Sequence, residues 1–487
     1  ETVVLNGVEL IDEGAFRNCA NIKVIESETV SYVGSYAFAD CVNLVTLNIN
    51  NVKEIGDYAF ATTTEKTANS LTALTFGDEL EVIGNYAFYG SLNIVDVTIG
   101  NGLKELGAYA FATCRALETI NVGGKLEVIA ECSFAEDDAL KVVNIDGIKY
   151  VHGGAFMNCI NLSQIDLSEV IEFGMESFAY CQSLTSLDLA SAKVLGAGTF
   201  LCASKVATVS IPVLERIEVQ ALSCIDVTEI ALPETLKYIA PTAFYYNTKQ
   251  VKFTNISNED TCVVNDYIRL DKGVVYTTTN NNKLLLTSYP AAKEAETYEV
   301  LFNTVRIDEY AAYFNKNLKQ LVLPDTLEYI GNNSFYGCTK LEIVEFKSVK
   351  APVLEGTVND LGIEYEPDSE IYQLLNKYFQ FNGYYPLYYA QFKDLVGKTS
   401  KMQIIVPANP EVSGYDNLLF IDTPVGRVSD VNRFNFAKVL RNISKGKQII
   451  LAFTPSEYSD EISAILNDTV VSSYNELGSD EISTERK

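Results

Sequence analysis

The sequence predicts a solenoid of about 13 coils, of α/β class leaning to β, made of stacked short parallel strands and followed by a small α/β segment. Three observations support this fold class. The hexapeptide IGDYAF at 55–60 recurs along the chain with small changes. Most recurrences lie 22 or 23 residues apart, a period typical of a repeat array. Each period also carries apolar residues in one fixed order, so every coil fills the same interior volume.

The last aromatic residue of the recurring phrase is the anchor of each repeat. One gap between anchors is 28 residues because a polar loop is inserted at 61–70, and one is 70 because a different segment intervenes. The sequence predicts these anchors: Phe16, Phe38, Phe60, Phe88, Phe111, Phe134, Phe156, Phe178, Phe200, Leu222, Phe244, Phe314 and Phe335.

Each repeat has an internal grammar. Phe178 is followed at +3 by Cys181, at +6 by Leu184, and at +9 and +11 by Leu187 and Leu189. Alternate apolar residues at +9 and +11 indicate a strand with one buried face. The apolar residues before the anchor return from the opposite wall, and the AFxxC step is expected to be a tight helical turn. The recurring phrase is therefore predicted to pack, without chemistry of its own.

The complete pattern, LxxLxIxxxLxxIGxxAFxxC, resembles the BspA-type leucine-rich repeat over residues 1 to about 350. That resemblance implies a leucine-rich repeat solenoid of a kind common in bacterial surface proteins. It further implies protein binding or adhesion through a curved sheet, without catalysis, in a secreted or cell-surface protein. The sequence departs from the general leucine-rich pattern because no regular Asn follows the strand.

Five regions follow from the repeats and their interruptions. The insertion is expected to contain a hairpin that turns at Asn280–Asn282. The regions are 1–254, a leucine-rich repeat block; 255–303, the hairpin insertion; 304–350, the last repeats; 351–414, a Tyr-rich capping segment; and 415–487, a small α/β segment with an acidic tail.

Composition limits the classes of function. Lys and Arg number 37 against 64 Asp and Glu, which gives a net charge of −27. This balance argues against direct nucleic-acid binding through a basic patch. The alternative to a binding role is that the negative charge keeps a large protein with an apolar core soluble. No apolar run reaches the roughly 18 residues of a transmembrane segment. The chain begins at Glu1 inside a repeat, so we expect a processed or trimmed form.

Outward-facing strand residues form the candidate ligand-binding face. The +10 position carries small polar residues, which suit hydrogen bonding to a ligand. They equally suit a solvated ladder in which side chains pair along the stack, and Arg and aromatic anchors are scarce. The candidate residues are Asn48, Asn121, Asn144, Asp166 and Asp188.

A possible aromatic edge lies two residues before four of the anchors, at Tyr36, Tyr58, Tyr86 and Tyr109. Stacked tyrosine rings are candidates to receive a sugar or an aromatic partner. The alternative is half-buried packing at the edge of the coils.

Cysteine and histidine do not predict a catalytic site. Six of the 10 cysteines share the +3 position, where a small buried thiol fills space. The spacing of neighbouring coils does not exclude a disulfide between their cysteines. The sequence contains no CxxC motif, so it does not predict a zinc site. His152 is the single histidine and supports no catalytic triad. We expect no catalytic residue, no metal and no cofactor in the repeats.

The last segment resembles a second family. LLFIDTP followed by GRVSDVNR is similar to the Walker B strand and D-loop of SMC-like ABC ATPases, and KQIILAFT is similar to their next strand. In that family the acid at Asp422 holds the Mg²⁺ of a nucleotide, and Asp430 matches the D-loop acid. The alternative is a small α/β cap with a chance Asp-Thr-Pro turn.

A Walker A motif is missing. VGKTS at 396–400 has Phe392 where the first glycine of GxxxxGK[ST] belongs, and Thr423 replaces the frequent catalytic Glu. Two hypotheses therefore remain. The first is a non-enzymatic recognition or adhesion scaffold for a protein or cell-surface ligand. The second is a cytoplasmic sensor or partner subunit of an SMC-like ATPase, which would use Mg-ATP through a half-site completed elsewhere.

Overall fold

The structure is a computed structural model of the chain. It describes residues 1–62, 69–245, 247, 251–291, 293–331, 333–348, 352–354, 403–407, 417–422 and 448–452. The chain divides into two compact units. The first comprises Glu1–Thr279 and Thr287–Ala291, and the second comprises Asn280–Leu286 and Ala292–Lys487.

Two rows of parallel strands run through the first unit. We call the longer row the front strands and the two-residue row the back strands. The front strands are β1 (Thr2–Val4), β3 (Val24–Glu26), β5 (Thr46–Asn48), β7 (Ala73–Phe76), β9 (Asp96–Ile99), β11 (Thr119–Lys125), β13 (Val142–Asp146), β15 (Gln164–Ile165), β17 (Ser186–Asp188), β19 (Thr208–Ser210), β21 (Glu229–Leu232) and β23 (Lys252–Asn255). The back strands are β2 (Leu10–Ile11), β4 (Tyr32–Val33), β6 (Glu54–Ile55), β8 (Val82–Ile83), β10 (Glu105–Leu106), β12 (Val128–Ile129), β14 (Tyr150–Val151), β16 (Glu172–Phe173), β18 (Val194–Leu195), β20 (Arg216–Ile217) and β22 (Tyr238–Ile239).

Equivalent residues of successive coils are in register. In the front row, Ile120 pairs with Val97 on one side and Val143 on the other, and all three point inward. Each coil therefore buries its apolar residues only when another coil lies above and below it.

The insertion in the first unit contains three antiparallel strands. These are β24 (Cys262–Val263), β25 (Ile268–Asp271) and β26 (Val274–Thr278). The connection between β25 and β26 is a tight turn at Lys272 and Gly273, which both have positive φ. The sequence analysis did not predict this turn, because both Asp271–Gly273 and Asn280–Asn282 have turn-forming residues and only the second was assigned as the hairpin turn. The chain turns again at 280–281, before β27 (Leu284–Ser288).

The second unit repeats the two-row arrangement. Its front row is β28 (Thr297–Glu299), β30 (Gln320–Leu323) and β32 (Ile343–Phe346), which β34 (Gln403–Pro407), β35 (Asn417–Asp422) and β36 (Gln448–Ala452) extend in that order. Its back row continues from β27 with β29 (Thr304–Ile307), β31 (Tyr329–Ile330) and β33 (Val353–Leu354).

The two units together have about 15 turns in their described residues, against the 13 predicted. The difference arises because a front strand lies at both ends of each array of repeats. The first unit has 12 front strands for 11 predicted anchors, and in the second unit β28, β30 and β32 correspond to two predicted anchors.

Stacked phenylalanine rings form the centre of the first unit. Neighbouring anchor rings from Phe16 to Phe200 lie 5.0–5.8 Å apart between centroids, with interplanar angles of 1–21°. Most of these rings have no exposed surface. The prediction that the recurring phrase packs the interior is confirmed.

The predicted helical turn at AFxxC is wrong. Most of the described steps consist of successive turns in which the residues at −2 and +2 from the anchor adopt left-handed φ, as at Tyr36 (57°) and Asp40 (60°). This geometry turns the amides of Tyr36, Phe38 and Asp40 toward the next coil, where they donate to carbonyl oxygens at 2.8–2.9 Å. Backbone hydrogen bonding between coils therefore continues through the turns, which offsets the roughly 1–2 kcal/mol cost of a left-handed residue.

The glycine of the recurring phrase is required by close approach of two coils. A Cβ at Gly34 would lie 2.7 Å from the Glu13 amide nitrogen, and one at Gly107 would lie 2.4 Å from the Gly84 carbonyl carbon. No side chain fits at these two positions without moving the backbone of the neighbouring coil.

One predicted anchor is wrong. Phe314 is 38% exposed, whereas Ala312 is 1% exposed and occupies the anchor position of that coil. The amide of Ala312 donates to Ser334 O, and the Cys338 thiol donates to Ala312 O, as in the coils of the first unit. Tyr310-Ala311 aligns with the Tyr-Ala of the recurring phrase, so Phe314 lies at +2.

None of the described segments forms a helix with the length and apolarity that crossing a bilayer requires. The signature and D-loop region around Asp430, and most of the Tyr-rich segment, lie outside the described residues.

Candidate functional site

The front strands of the first unit place the candidate residues on one face. Burial alternates along each strand, as in Val142–Asp146, where Val143 and Ile145 are buried while Asn144 and Asp146 are exposed. The strand period of two therefore directs the +8 and +10 side chains outward. Asn48, Asn144 and Asp188 are exposed, and Asn121 is half-buried.

Two of the candidate residues are bonded to each other. Asn121 and Asn144 face each other across β11 and β13, and Asn144 Nδ2 donates to Asn121 Oδ1 at 2.7 Å. This contact is one pair of the kind expected for a ladder of polar side chains that bond to each other along the stack. Asn121 Nδ2 and Asn144 Oδ1 are not used in this bond, and they can still bond to solvent or to a ligand.

The two candidate carboxylates differ in their surroundings. Asp166 lies one residue beyond β15, and its Oδ1 accepts hydrogen bonds from the Ser168 hydroxyl at 2.7 Å and the Ser168 amide at 2.9 Å. These bonds hold the pKa of Asp166 below its usual range. Asp188 is the last residue of β17, beside Ser210 of the next coil. Asp166 therefore stabilises a turn, while Asp188 points to solvent.

Ion pairs between coils border the front face. Lys141 and Glu118, which immediately precede β13 and β11, approach to 2.8 Å between Nζ and Oε2. Both side chains are about half exposed, so the pair contributes little to stability. It does fix the positions of two charges beside Asn121 and Asn144.

The four candidate tyrosines form a ladder. Ring centroids lie 4.8 Å apart for Tyr36–Tyr58, 4.6 Å for Tyr58–Tyr86 and 4.7 Å for Tyr86–Tyr109, with interplanar angles of 3° throughout. All four have left-handed φ and are half-buried. The inner ring faces cover one another, so the ladder presents ring edges and hydroxyl groups. A sugar or aromatic ring has no open face to stack on between them.

Both ends of the ladder carry a partner. The Arg17 guanidinium carbon lies 4.9 Å from the centroid of the Tyr36 ring, a cation–π contact. At the other end, a hydrogen bond with the Cys132 thiol raises the pKa of Tyr109 to about 12. Burial, followed by the neighbouring rings, raises the pKa of Tyr58. The phenols of Tyr58 and Tyr109 therefore stay neutral through the physiological range.

Among the described residues outside these two sets, the histidine and the +3 cysteines are not grouped together. His152 lies exposed directly after back strand β14. Cysteines at +3 are directed inward; the thiols of Cys159 and Cys181 donate to the anchor carbonyls of Phe134 and Phe156 at 3.0 and 3.1 Å. In the described part of the chain, no three His, Cys, Asp or Glu side chains are grouped to hold a metal ion.

Asp422 is the last residue of β35. That strand is parallel to β36, and Asp422 pairs with Ala452 across it. The two strands that resemble the ATPase segment are therefore neighbours. Phe392, Thr423 and the VGKTS stretch lie outside the described residues.

A group of aromatic residues in the second unit was missed by the sequence analysis. The rings of Tyr313 and Tyr336 are stacked at 5.5 Å, and Phe314 lies 4.5 Å from Tyr313. Phe314 and Tyr336 are each 38% exposed. The signal was present as the second aromatic residue after Tyr310-Ala311, but it was taken for the anchor.

Two solved structures are similar to parts of this chain. A leucine-rich repeat protein from Bacteroides ovatus ATCC 8483 is 19% identical, covers 70% of this chain and 86% of its own, and has a TM-score of 0.49. A leucine rich cell surface protein from Faecalibacterium prausnitzii A2-165 is 22% identical, covers 61% of this chain and 70% of its own, and has a TM-score of 0.42. No curated protein sequence matches the chain.

The BspA type leucine rich repeat region matches in 6 copies, over residues 1–69, 65–185, 149–267 and 303–354. These matches span more than half of the chain and coincide with the coils of both units. The chain therefore belongs to the BspA type leucine rich repeat family.

Proposed function

We propose that this chain is a non-catalytic recognition or adhesion scaffold, which binds a protein or other macromolecular ligand through the front face of the first unit. The observation that carries the proposal is the different composition of the inward and outward positions of each coil. Inward positions are apolar and fully packed, while outward front positions carry a repeated set of amide, hydroxyl and carboxylate groups. A packed stack holds these groups at fixed spacing, which lowers the cost of ordering them on binding.

Charge indicates the chemistry of the partner. Asp96, Asp146 and Asp188 are exposed on the front face, and the chain carries a net charge of −27. Complementary potentials favour a partner whose contact surface is cationic and rich in hydrogen-bond donors. Family membership supports a secreted or cell-surface setting for this binding, because such repeats are common in bacterial surface proteins.

A pair of charge reversals on opposite rows tests the proposal. Asp188→Lys changes the front face, and Glu172→Lys makes the same change on the exposed side of back strand β16. Labelled full-length chains are bound to intact cells and to immobilised extracellular proteins with cationic surfaces. We expect Asp188→Lys, combined with Asn144→Ala, to weaken binding about tenfold or more, a loss of about 1.4 kcal/mol. Equal losses for both rows, or an unchanged front variant with a native thermal transition, would show that the front face is the wrong surface.

A second candidate function rests on the two terminal strands. β35 and β36 are parallel neighbours, and Asp422 stands at the carboxyl end of its strand, where nucleotide-binding α/β proteins place a magnesium-binding acid. We propose, as the alternative, that this segment supplies a Walker B-like half-site to a partner ATPase. Mg-ATP should then raise the thermal midpoint of the chain mixed with that partner, and Asp422→Asn should abolish the shift. No shift in any mixture removes the alternative.

A further inference from the structure

Eight of the 10 cysteines lie at +3 or at +2 from the anchor. Those at +3 are committed to packing: the thiols of Cys41, Cys114 and Cys181 donate to the anchor carbonyl of a preceding coil at 3.1, 3.4 and 3.1 Å. Burial raises the pKa of Cys41 to about 11 and raises those of Cys114 and Cys181 further. Because their side chains lie in the interior, away from reagents in solvent, these thiols fill space between the coils.

Cys202 and Cys224 lie at +2, one coil apart. Each has left-handed φ, 57° and 59°, and each is half-buried rather than interior. The amide of Cys202 donates to Ser223 O at 2.9 Å, and the amide of Cys224 donates to Tyr245 O at 3.0 Å. The two residues are therefore in register on adjacent coils and have the same backbone conformation, so their side chains leave the backbone in the same direction.

In-register neighbours on adjacent coils lie about 4.8 Å apart between Cα atoms. This separation falls inside the roughly 4.4–6.8 Å range of Cα distances that a disulfide spans. Burial, and after it the neighbouring Cys202 thiol, raise the pKa of Cys224, as expected for two side chains that lie side by side on adjacent coils. The pair thus meets the spacing requirement and is reachable from solvent.

We propose that Cys202 and Cys224 form a redox-active pair, which closes to a disulfide between two neighbouring coils on reaction with a low-molecular-weight disulfide. The thiolate of one cysteine attacks the small disulfide, forms a mixed disulfide and releases one small thiol. The second cysteine then displaces the other small thiol and completes the protein disulfide. Two protein thiols are oxidised and one small disulfide is reduced to two thiols, so no further oxidant is needed.

Two features shape the reaction. Burial and the hydrogen bond with Cys202 raise the pKa of Cys224 to about 12, so the rate of closure should increase with pH. The closed pair would join two coils that otherwise meet only through side-chain packing and backbone hydrogen bonds. In a repeat array each coil contacts only its neighbours, so one such link opposes separation of the array at that boundary.

The test uses the full-length chain and oxidised glutathione, followed by thiol counting and peptide mass mapping. We expect loss of two of the 10 thiols, a peptide cross-link between Cys202 and Cys224, and faster closure at pH 9 than at pH 7. The Cys202→Ser/Cys224→Ser variant should lose no thiols. The matched control is Cys159→Ser/Cys181→Ser, which removes an interior pair with the same coil spacing and should leave the cross-link unchanged.

Three outcomes would overturn the proposal. They are a stable glutathione adduct on one of the two cysteines without closure, a cross-link that joins two chains, and equal closure of the Cys159–Cys181 pair. Thermal unfolding of the oxidised and reduced chains provides a second readout. The transition should shift upward on oxidation in the native sequence and not in Cys202→Ser/Cys224→Ser.

Discussion

The coils of the first unit and those of the second unit fill the anchor position differently. In the first unit the anchor is an aromatic ring in every coil from Phe16 to Phe200, and these rings form one buried stack. In the second unit the anchor ring of Phe335 is buried as well, but Ala312 takes the anchor position of the coil before it. The aromatic rings of Tyr313, Phe314 and Tyr336 lie partly exposed near Ala312.

The difference shows that the turn, rather than the ring, defines a coil. Both units keep left-handed residues at −2 and +2, as at Tyr310 (54°) and Phe314 (56°), and both keep the amide–carbonyl bonds to the next coil. Backbone hydrogen bonding between coils therefore survives replacement of the largest interior side chain by a methyl group. What changes is where the aromatic surface lies, and with it the source of stability.

The largest expected effect is the loss of an interior ring. Phe111→Ala removes a side chain with no exposed surface that stacks on Phe88 at 5.1 Å and Phe134 at 5.8 Å. We expect a loss of about 3–5 kcal/mol in the free energy of unfolding, because the rigid stack leaves a cavity that cannot collapse. Urea unfolding followed by circular dichroism measures it.

Phe314→Ala is the matched control in the second unit. Its ring is 38% exposed, so we expect a loss of about 1 kcal/mol or less. Similar losses for Phe111→Ala and Phe314→Ala would contradict the assignment of Ala312 as the anchor of its coil.

The coils also differ at the +3 position. Asp137 has a carboxyl group at this position, where other coils have a side chain that donates a hydrogen bond to the anchor carbonyl of the preceding coil. Asn247 Nδ2 donates to the anchor carbonyl of Leu222 at 3.0 Å, and its Oδ1 accepts from the Ile225 amide at 3.0 Å. Asp137 Oδ1 accepts from the equivalent amide, that of Cys114, at 2.7 Å, while Oδ2 has no partner among the described residues. An ionised carboxylate cannot donate as the Asn247 amide does.

Asp137→Asn should therefore stabilise the chain. Burial raises the pKa of Asp137 well above its usual value, so the unfolded chain loses this proton first as pH rises. Stability is full below the ordinary carboxyl pKa and falls as pH rises toward the folded-state pKa. We expect a gain of about 1–3 kcal/mol at neutral pH, shrinking toward pH 4. Urea unfolding across this pH range measures it, and a gain independent of pH would refute the titration of Asp137.

Asn315→Asp makes the reverse change in the second unit. Asn315 Oδ1 accepts from the Asn317 and Leu318 amides at 2.9 and 2.8 Å, and Nδ2 donates to Lys293 O at 3.2 Å. The substitution should destabilise more at pH 8 than at pH 4.5, by the same linkage. An Asn315→Asp variant as stable as the native chain at both pH values would show that the +3 donor is dispensable.

A smaller effect is expected at the tyrosine ladder. Tyr58→Ala removes a ring stacked on both faces, by Tyr36 at 4.8 Å and Tyr86 at 4.6 Å. Two lost ring contacts should lower the free energy of unfolding by about 1–2 kcal/mol, since the site is half-buried. Tyr58→Phe keeps the ring and should cost little. If Tyr58→Phe destabilised as much as Tyr58→Ala, the hydroxyl groups would matter more than the stack.

The repeats were predictable from sequence where one residue type recurs at one offset. The spacing of Phe88, Phe111 and Phe134 predicted the interior stack, and the alternation around Leu187 predicted a front strand. The turn conformation was not predictable in this way, because the left-handed positions carry Tyr and Cys as well as Asp and Gly, and only Asp and Gly favour this conformation. Phe314 was misplaced because an aromatic residue at +2 imitates the anchor.

The candidate site was predictable as a face but not as a set of contacts. Period-two alternation placed Asn121, Asn144 and Asp188 outward. It did not show that the two asparagines bond to each other, or that Asp166 caps a turn, because hydrogen bonds between coils depend on rotamers. The Cys202–Cys224 pair was not predicted, because six cysteines recur at +3 and only these two lie at +2.

The smallest expected effect separates the two interpretations of the front face. Asn144→Ala removes the 2.7 Å bond to Asn121 Oδ1, which should cost about 0.2–1 kcal/mol in the free energy of unfolding. Asn121→Ala and the double variant complete a cycle, in which a coupling energy of that size means that the pair stabilises the stack. Binding to the partner captured by the native chain is measured on the same variants. Recognition by the front face requires a binding loss beyond the stability change, and coupling without any binding loss would mean that this part of the front face is only a structural ladder.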